Sequence, residues 1–465
     1  MRRLLQIPII LVLSINVLGQ APLAAGEKDK LKKELQLRLD EWRRSGKFPG
    51  ATLGVVLANG ESAIGYSDRD AKTPMRPFDR MLAGSIGKTF VAATALQLIY
   101  EGKSGLDDKI EKYLGAEVWF SRLPNAKDIT VKQLMNHTGG LVRYEFKDQF
   151  AKDLTANPEK FWKPEELLAY LLDEKPPFKA GEGWQYSDTN YIVLGMIIER
   201  VTGKKFYNEA NRRVIVPLKL TNTSPQDGPR LKGLIQGYAG INNPFGGKDA
   251  MIAGGKFVIN PQFEWTGGGY VSTAEDLARW AKMIYEGKAF DRSLLPQVLD
   301  GVLAPMLGPE NKYGLGVIIR KTAAGISYGH SGFFPGYMSD MMYFPEHKIA
   351  VAVQVNTSVG KDLGKPLSRV LVEILEAVNA WVTTTKSALR AESEAHSIQG
   401  WAISDNKMFD SPVFAPEEQH VYSFRQPHRD ALRRSAIEHK WKWHVQQRTR
   451  KVGEYLSGLA SNKKA

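Results

Sequence analysis

Ser85-Ile86-Gly87-Lys88 runs into Phe90-Val91-Ala92-Ala93-Thr94-Ala95-Leu96-Gln97-Leu98-Ile99, an apolar stretch that stops near Gly102. The stretch reads as a buried helix. Residues three apart share a helix face, so Lys88 lies one turn past Ser85 and can reach its hydroxyl. A serine hydroxyl is a weak nucleophile near neutral pH and needs a base held beside it. The helix start adds outward-pointing N–H groups and the positive end of the dipole. The same spacing recurs at Ser358/Lys361, Ser404/Lys407 and Ser461/Lys464, in polar, loop-like or tail sequence with no buried helix behind it. The context of Ser85, rather than the spacing, carries the reading.

Upstream, Leu31, Leu35, Leu39 and Trp42 share one helical face and predict an amphipathic helix over 28–44. Residues 51–57 are strand-like, Asn59-Gly60 signals a hairpin turn, and 62–66 is the returning strand. Residues 101–260 read mostly as helices and loops. Thr130 is an N-cap candidate for a helix that runs into the turn Thr138-Gly139-Gly140. A second buried helix is expected over 191–201, ended by Gly203. Strand signals return at 313–320, 326–330, 337–344 and 349–356. Leu367, Val370, Leu371, Ile374, Leu375 and Val378 mark a closing helix through about residue 382. Strands at both ends with helices between predict one sheet domain interrupted by a helical one. The sheet part covers about 27–80 and 265–385, and the helical part about 81–264.

The two termini differ from this body. Arg2 and Arg3 precede an apolar run over 4–18 broken by Pro8, Ser14 and Asn16, followed by the small residues Ala21, Ala24, Ala25 and Gly26. That pattern predicts a cleaved secretory signal over 1–25. The run is short for a membrane anchor, which needs about 20 apolar residues. Beyond about residue 385 the character changes. Five of the eight histidines (His396, His420, His428, His439, His444) fall there with Trp401, Trp441 and Trp443. Residues 386–465 read as an appended module, a disordered tail or a spurious extension, with a basic helix conceivable over 428–459. The net charge of +13 is scattered, with no basic run interleaved with aromatics, so nucleic acid is not an expected partner. There is no cysteine, which excludes disulfides and a thiol nucleophile and fits a periplasmic or secreted bacterial protein.

Two further motifs bear chemistry. Tyr186-Ser187-Asp188 precedes the second buried helix; a phenol can relay a proton when cations lower its pKa. The competing reading is a loop tyrosine followed by a helix-capping aspartate. His330-Ser331-Gly332 closes a predicted strand, and Gly332 would let backbone approach a ligand closely. The three motifs together resemble the penicillin-recognising serine hydrolases: class C β-lactamases, D-alanyl-D-alanine carboxypeptidases, D-aminopeptidases and related esterases. The flanking text Leu106-Asp107-Asp108, Leu134-Met135-Asn136-His137-Thr138, Gly268-Gly269-Tyr270-Val271-Ser272-Thr273 and Gly329-His330-Ser331-Gly332 is also similar. The resemblance covers roughly 28–382. It implies an α/β (α+β) fold with an antiparallel sheet flanked by helices and an inserted helical domain.

The resemblance also implies roles. Ser85 forms an acyl-enzyme, Lys88 and Tyr186 share proton transfer, and the N–H groups of Ser85 and Phe333 make the oxyanion hole. His330 contacts a substrate carboxylate or steers protons, while Ser331 and Gly332 line the substrate. Asp188 departs from the family's usual asparagine: it cannot donate an amide hydrogen bond, and it would favour charged Lys88. The implied substrate is a D-amino-acid peptide, a β-lactam-like compound or a small ester, cell-wall-derived substrates included, acted on by a monomer with no stable membrane span once the leader is removed. The alternative is a protein that binds peptidoglycan or a β-lactam without turnover. An α/β-hydrolase triad of Ser85, Asp188 and His330 fails because Ala83 stands where its nucleophile elbow requires glycine. The body holds only His137, His330 and His347, without ligand spacing, so neither metal nor cofactor is expected. N-terminal sequencing of exported protein is expected to begin after Ala21, Ala24 or Ala25; an intact Met1 on cytosolic material would refute the leader.

Overall fold

Ile349-Ala350-Val351-Ala352-Val353-Gln354-Val355 alternates branched apolar side chains with Ala350, Ala352 and Gln354, and both sets are buried. The computed structural model describes residues 25–404 apart from 71–72, 242 and 244–248. The predicted leader, apart from its last residue Ala25, and residues 405–465 lie outside the described residues. Contacts divide the chain into Met1–Glu394 and Ala395–Ala465. Of the second unit only the helical backbone of 395–404 is described; the sheet, the helices that cover it and the helical insertion belong to the first.

The strands of the main sheet are β1 (Ala51–Val56), β2 (Ser62–Tyr66), β3 (Val302–Leu303), β4 (Lys312–Tyr313), β5 (Ile318–Thr322), β6 (Gly325–Phe334), β7 (Tyr337–Phe344) and β8 (Ile349–Val355). They form one antiparallel sheet in the order β2-β1-β8-β7-β6-β5-β4-β3. Successive side chains of a strand face opposite sides. In β8 the larger residues Ile349, Val351, Val353 and Val355 therefore pack under α1 (Ala25–Ser45) and α5 (Leu367–Ser404), which cover one face. Ala350 and Ala352 point the other way, where their small size lets α4 (Ala274–Tyr285) lie close. Leu31, Leu35, Leu39 and Trp42 are all buried on the predicted face of α1, and the Trp42 indole donates to the Leu363 carbonyl at 2.9 Å.

Between β2 and α4 lies the helical insertion. It contains α2 (Lys88–Tyr100) and α3 (Asp188–Thr202), with shorter turns around them. Thr130 caps its short helix through a capping box with Gln133. Gly203 ends α3 in the left-handed conformation.

Three boundaries differ from expectation. The single strand predicted over 313–320 is two, because the chain turns at 314–317, where Gly316 has a φ of 80°. The strand predicted to end at His330 continues to Phe334, so His330-Ser331-Gly332 lies inside β6. The closing helix continues past 382 to Ser404: apolar periodicity stops there but no helix breaker intervenes. Thr385 still bonds the first turn of α1, through Glu27 at 3.1 Å.

Gly332 is a place where the sheet and the segment leading into the helical insertion meet closely. A Cβ there would lie 1.9 Å from the Ala83 carbonyl oxygen and 2.5 Å from Ser339 Oγ, and Ser339 itself donates to Ala83 O at 2.7 Å. The close approach that Gly332 permits is thus to the segment carrying Ser85. Gly332→Ala should cost at least about 1–3 kcal/mol through overpacking against backbone, read as a lowered midpoint in thermal or urea unfolding. An unchanged midpoint would mean the two backbones separate freely.

Candidate active site

Ser85 lies in a 3₁₀ turn, Gly84–Gly87, that leads into α2. In a 3₁₀ turn residues three apart eclipse one another, so Lys88 is held directly over Ser85, with its Nζ 3.0 Å from Ser85 Oγ. Lys88 has no solvent exposure. Its other contacts are Asp188 Oδ1 and the Gly267 carbonyl. An ammonium has three donors, and all three are used.

Gly84 has a φ of 54°, and a Cβ there would lie 2.6 Å from the Phe333 nitrogen. The Ser85 turn and the backbone of β6 therefore abut, which brings the Ser85 and Phe333 backbones together. The Phe333 ring is exposed. Ser331 and His330 point to opposite faces of β6 by alternation, and Ser331 is in register with Asp340 of β7.

Tyr186 and Asp188 reach the same place from the start of α3. Asp188 does not cap the helix: Ser187 is the N-cap residue, with no side-chain cap bond, and the carboxylate turns inward to Lys88 and Arg143. The Arg143 guanidinium donates to Asp188 Oδ2 at 2.6 Å and grips Glu145 Oε1 through two nitrogens at 2.8 and 2.9 Å. The Tyr186 hydroxyl is enclosed without a well-formed hydrogen bond, while Lys88 Nζ lies 4.9 Å from its ring centre.

His137 accounts for the Leu134-to-Thr138 motif. Its φ is 64°, its ring packs 4.3 Å from that of Tyr186, and its Nδ1 accepts the Ser187 N–H at 3.3 Å. It fixes the backbone that carries Tyr186 and Asp188.

His330 is buried as well. Its Nδ1 lies 2.7 Å from the Ser331 carbonyl and its Nε2 lies 2.9 Å from the Tyr313 hydroxyl. Nδ1 must then donate to the carbonyl, and with the ring held neutral by burial and Lys88, Nε2 accepts from the Tyr313 hydroxyl. Neither ring nitrogen is free for a substrate carboxylate in this arrangement.

Electrostatics follow from burial and pairing. Burial alone would push Lys88 down, but Asp188 and Tyr186 outweigh it and hold the ammonium above the usual lysine range. Burial would raise Asp188, but Lys88 and Arg143 hold it well below the usual carboxylate range. Burial, then Asp188, push Glu145 up to about 8 against the pull of Arg143. Burial pushes Tyr186 up, with Lys88 opposing. Burial, reinforced by Lys88, brings His330 down to about 3 and His137 well below its ordinary value.

The structure thus brings Ser85, Lys88, Tyr186, Asp188, His330 and the Phe333 backbone into one site. Sequence reasoning missed Arg143, Glu145, Tyr313 and the Gly267 carbonyl. Arg143 and Glu145 lie in the stretch over 101–260 that reads mostly as helices and loops, with no motif to mark them. Among the described residues no cluster suited to a metal ion occurs.

A family model described as Beta-lactamase matches residues 29–375. The chain belongs to the Beta-lactamase family. It is a serine hydrolase with that family's α/β fold and acyl-enzyme chemistry on amide or ester bonds. It is 23% identical over 342 residues to penicillin-binding protein 4* of Bacillus subtilis, covering 69% of this chain and 71% of that one. It is 25% identical over 324 residues to Protein flp of Staphylococcus aureus, covering 67% of this chain and 60% of that longer one. A D-stereospecific amidohydrolase from Streptomyces sp. superposes with a TM-score of 0.60 at 26% identity, covering 76% of this chain and 98% of the other. No helix among the described residues is long and apolar enough to cross a membrane.

Asp188 is the shared counter-ion of two cations. Asp188→Ala should destabilise the fold by about 3–5 kcal/mol, because it leaves buried charge uncompensated, whereas Ser85→Ala, which removes one neutral acceptor from Lys88, should cost less, about 1–3 kcal/mol. Urea titrations of the two variants check this; equal midpoints would show that the cluster is solvated.

Proposed function

We propose that the chain hydrolyses the amide or ester bond of a D-amino-acid derivative through an acyl-enzyme on Ser85. The observation that carries this reading is the 3.0 Å contact between Ser85 Oγ and the Nζ of a fully buried lysine. Ser85 Oγ attacks the carbonyl carbon, and its proton passes to Lys88 or through Tyr186. Tyr186, enclosed beside Lys88, returns a proton to the leaving amine or alcohol. Water then repeats the sequence on the acyl-enzyme. The backbone N–H groups of Ser85 and Phe333 receive the oxyanion, where losing one donor costs about 10²–10³ in rate.

Two features support a small D-amino-acid amide over an antibiotic. One is the similarity to a D-stereospecific amidohydrolase. The other is the rim, where the exposed rings of Phe146 and Phe333 offer apolar surface to a side chain. Phe146 stacks on Arg143 at 4.2 Å, and Arg143 in turn lies 5.5 Å from the Tyr186 ring. Export as a periplasmic or secreted monomer fits such a substrate.

The Lys88–Asp188 pair favours a second reading, a binder that acylates and does not turn over, because a clamped ammonium is a poor base.

Mass spectrometry after fluorophosphonate treatment should place the adduct on the Ser85 peptide. Ser85→Ala should reduce hydrolysis of a D-phenylalanine amide by at least about 10⁴-fold, with the L-amide and a cephalosporin poorer substrates of the wild type. A lasting adduct without turnover would select the binder; an adduct on another serine would remove the assignment. Asp188→Asn removes the charge that holds the Lys88 proton. The acidic limb of log kcat/KM should then move to lower pH, each unit being worth about 1.4 kcal/mol. Superimposable profiles would show that Lys88 is not the base on that limb.

A further inference from the structure

Arg143 and Glu145 take no part in the proton transfers of acylation, yet they touch the group that controls Lys88. Arg143 bonds one oxygen of each carboxylate, Asp188 Oδ2 and Glu145 Oε1. Lys88 takes Asp188 Oδ1. The remaining oxygen, Glu145 Oε2, is enclosed and meets no donor, although the side chain as a whole keeps 16% exposure at the rim. One Arg143 nitrogen, Nη2, holds Glu145 Oε1 at 2.8 Å and Asp188 Oδ2 at 2.6 Å, so the two carboxylates lie side by side. Two ionised carboxylates cannot bond each other, whereas two carboxylates with one proton between them can.

We propose that Glu145 and Asp188 share one proton, and that Glu145, held by Arg143, is a positioning residue that sets how readily Lys88 releases its own. The inference rests on the reading of Lys88 as the base in acylation. Charge counting gives the mechanism. With the shared proton present and Lys88 charged, the cluster carries one net positive charge. Losing one proton makes it neutral, and that proton can leave from either of two places. If it leaves Lys88, the lysine becomes a free base while Glu145 stays protonated. If it leaves Glu145, the lysine remains an ammonium. The two forms hold the same number of protons and interconvert by the net transfer of one proton, from Lys88 Nζ by way of Asp188 to Glu145 Oε2. Their ratio does not depend on pH.

The consequence is specific. Activity that needs neutral Lys88 should rise with pH and level off near the point where Glu145 ionises, about 8. Other groups face this cluster. Tyr186 and Tyr144 are held protonated by burial, and His137 and His330 neutral. Glu264 is a rival: burial also raises it to about 8, and it accepts from Gln226 at 2.9 Å.

The test is the pH profile of kcat/KM for wild type, Glu145→Gln and Glu264→Gln on one D-amino-acid amide. Glutamine mimics the protonated acid, so below the break Glu145→Gln should match wild type. Above it the variant should keep rising, to about tenfold faster one pH unit higher. Levelling at the same pH in Glu145→Gln, or loss of the break in Glu264→Gln alone, would overturn the proposal. Infrared difference spectra read the proton directly and need no turnover. Wild type should show a protonated-carboxyl C=O band that disappears through the same pH and is absent in Glu145→Gln; a band indifferent to that substitution overturns the proposal. Absence of any Ser85 adduct would sink the hydrolase reading instead and leave the infrared result to decide this one.

Discussion

A lysine ammonium sealed from solvent is the constraint around which this molecule is arranged. Removing such an ion from water costs several kcal/mol even after relaxation, and Lys88 has no exposed surface. Asp188, the Gly267 carbonyl and Ser85 Oγ must all converge on it, and they come from parts of the chain far apart in sequence. The kink before Gly267 shows the cost. Trp265 sits at φ 37°, ψ −117°, a conformation worth about 1–3 kcal/mol of strain in a residue with a side chain. The turn after Trp265 delivers a carbonyl to Lys88.

The elements with a simple repeat were legible in the sequence. The four buried residues of α1 and the alternation in β8 announce themselves because one physical requirement, a buried face, acts on every second, third or fourth residue. The nucleophile and its lysine were legible for the same reason, since they adjoin a helix buried on all sides. Arg143 and Glu145 escaped because their partner, Asp188, is 45 and 43 residues away and their own segment is a short turn with no period. Gly332 was seen as a position of close approach, but what approaches is the Ala83 backbone, 249 residues earlier. Local pattern shows that a residue needs space or a partner; topology supplies which.

The histidines illustrate how burial overrides residue type. Both His137 and His330 sit beside Lys88, and each would be an obvious acid–base candidate from its identity. Enclosure and the neighbouring cation hold both neutral; His137 Nδ1 is held by the Ser187 N–H, and the His330 ring by the Ser331 carbonyl and the Tyr313 hydroxyl. They therefore act as shaped, uncharged walls: His137 against Tyr186, His330 against Tyr313. Control of charge in the site falls to the carboxylates.

That division explains why an aspartate can stand where an amide is usual. Stability and reactivity pull in opposite directions on Asp188. A full negative charge is the best counter-ion for a buried ammonium and the worst neighbour for a base. An amide would relieve the base but leave Lys88 without a counter-ion and Arg143 with Glu145 alone. Placing Arg143 on the second oxygen of Asp188 divides its charge between two cations, so Lys88 is held less tightly than an isolated pair would hold it. Arg143 would then be a poor neighbour for a neutral lysine unless its own charge were balanced, which is what Glu145 does while remaining able to take up a proton. The four groups are best understood as one unit: removing any one changes both the protonation of the others and the balance of buried charge on which the fold rests.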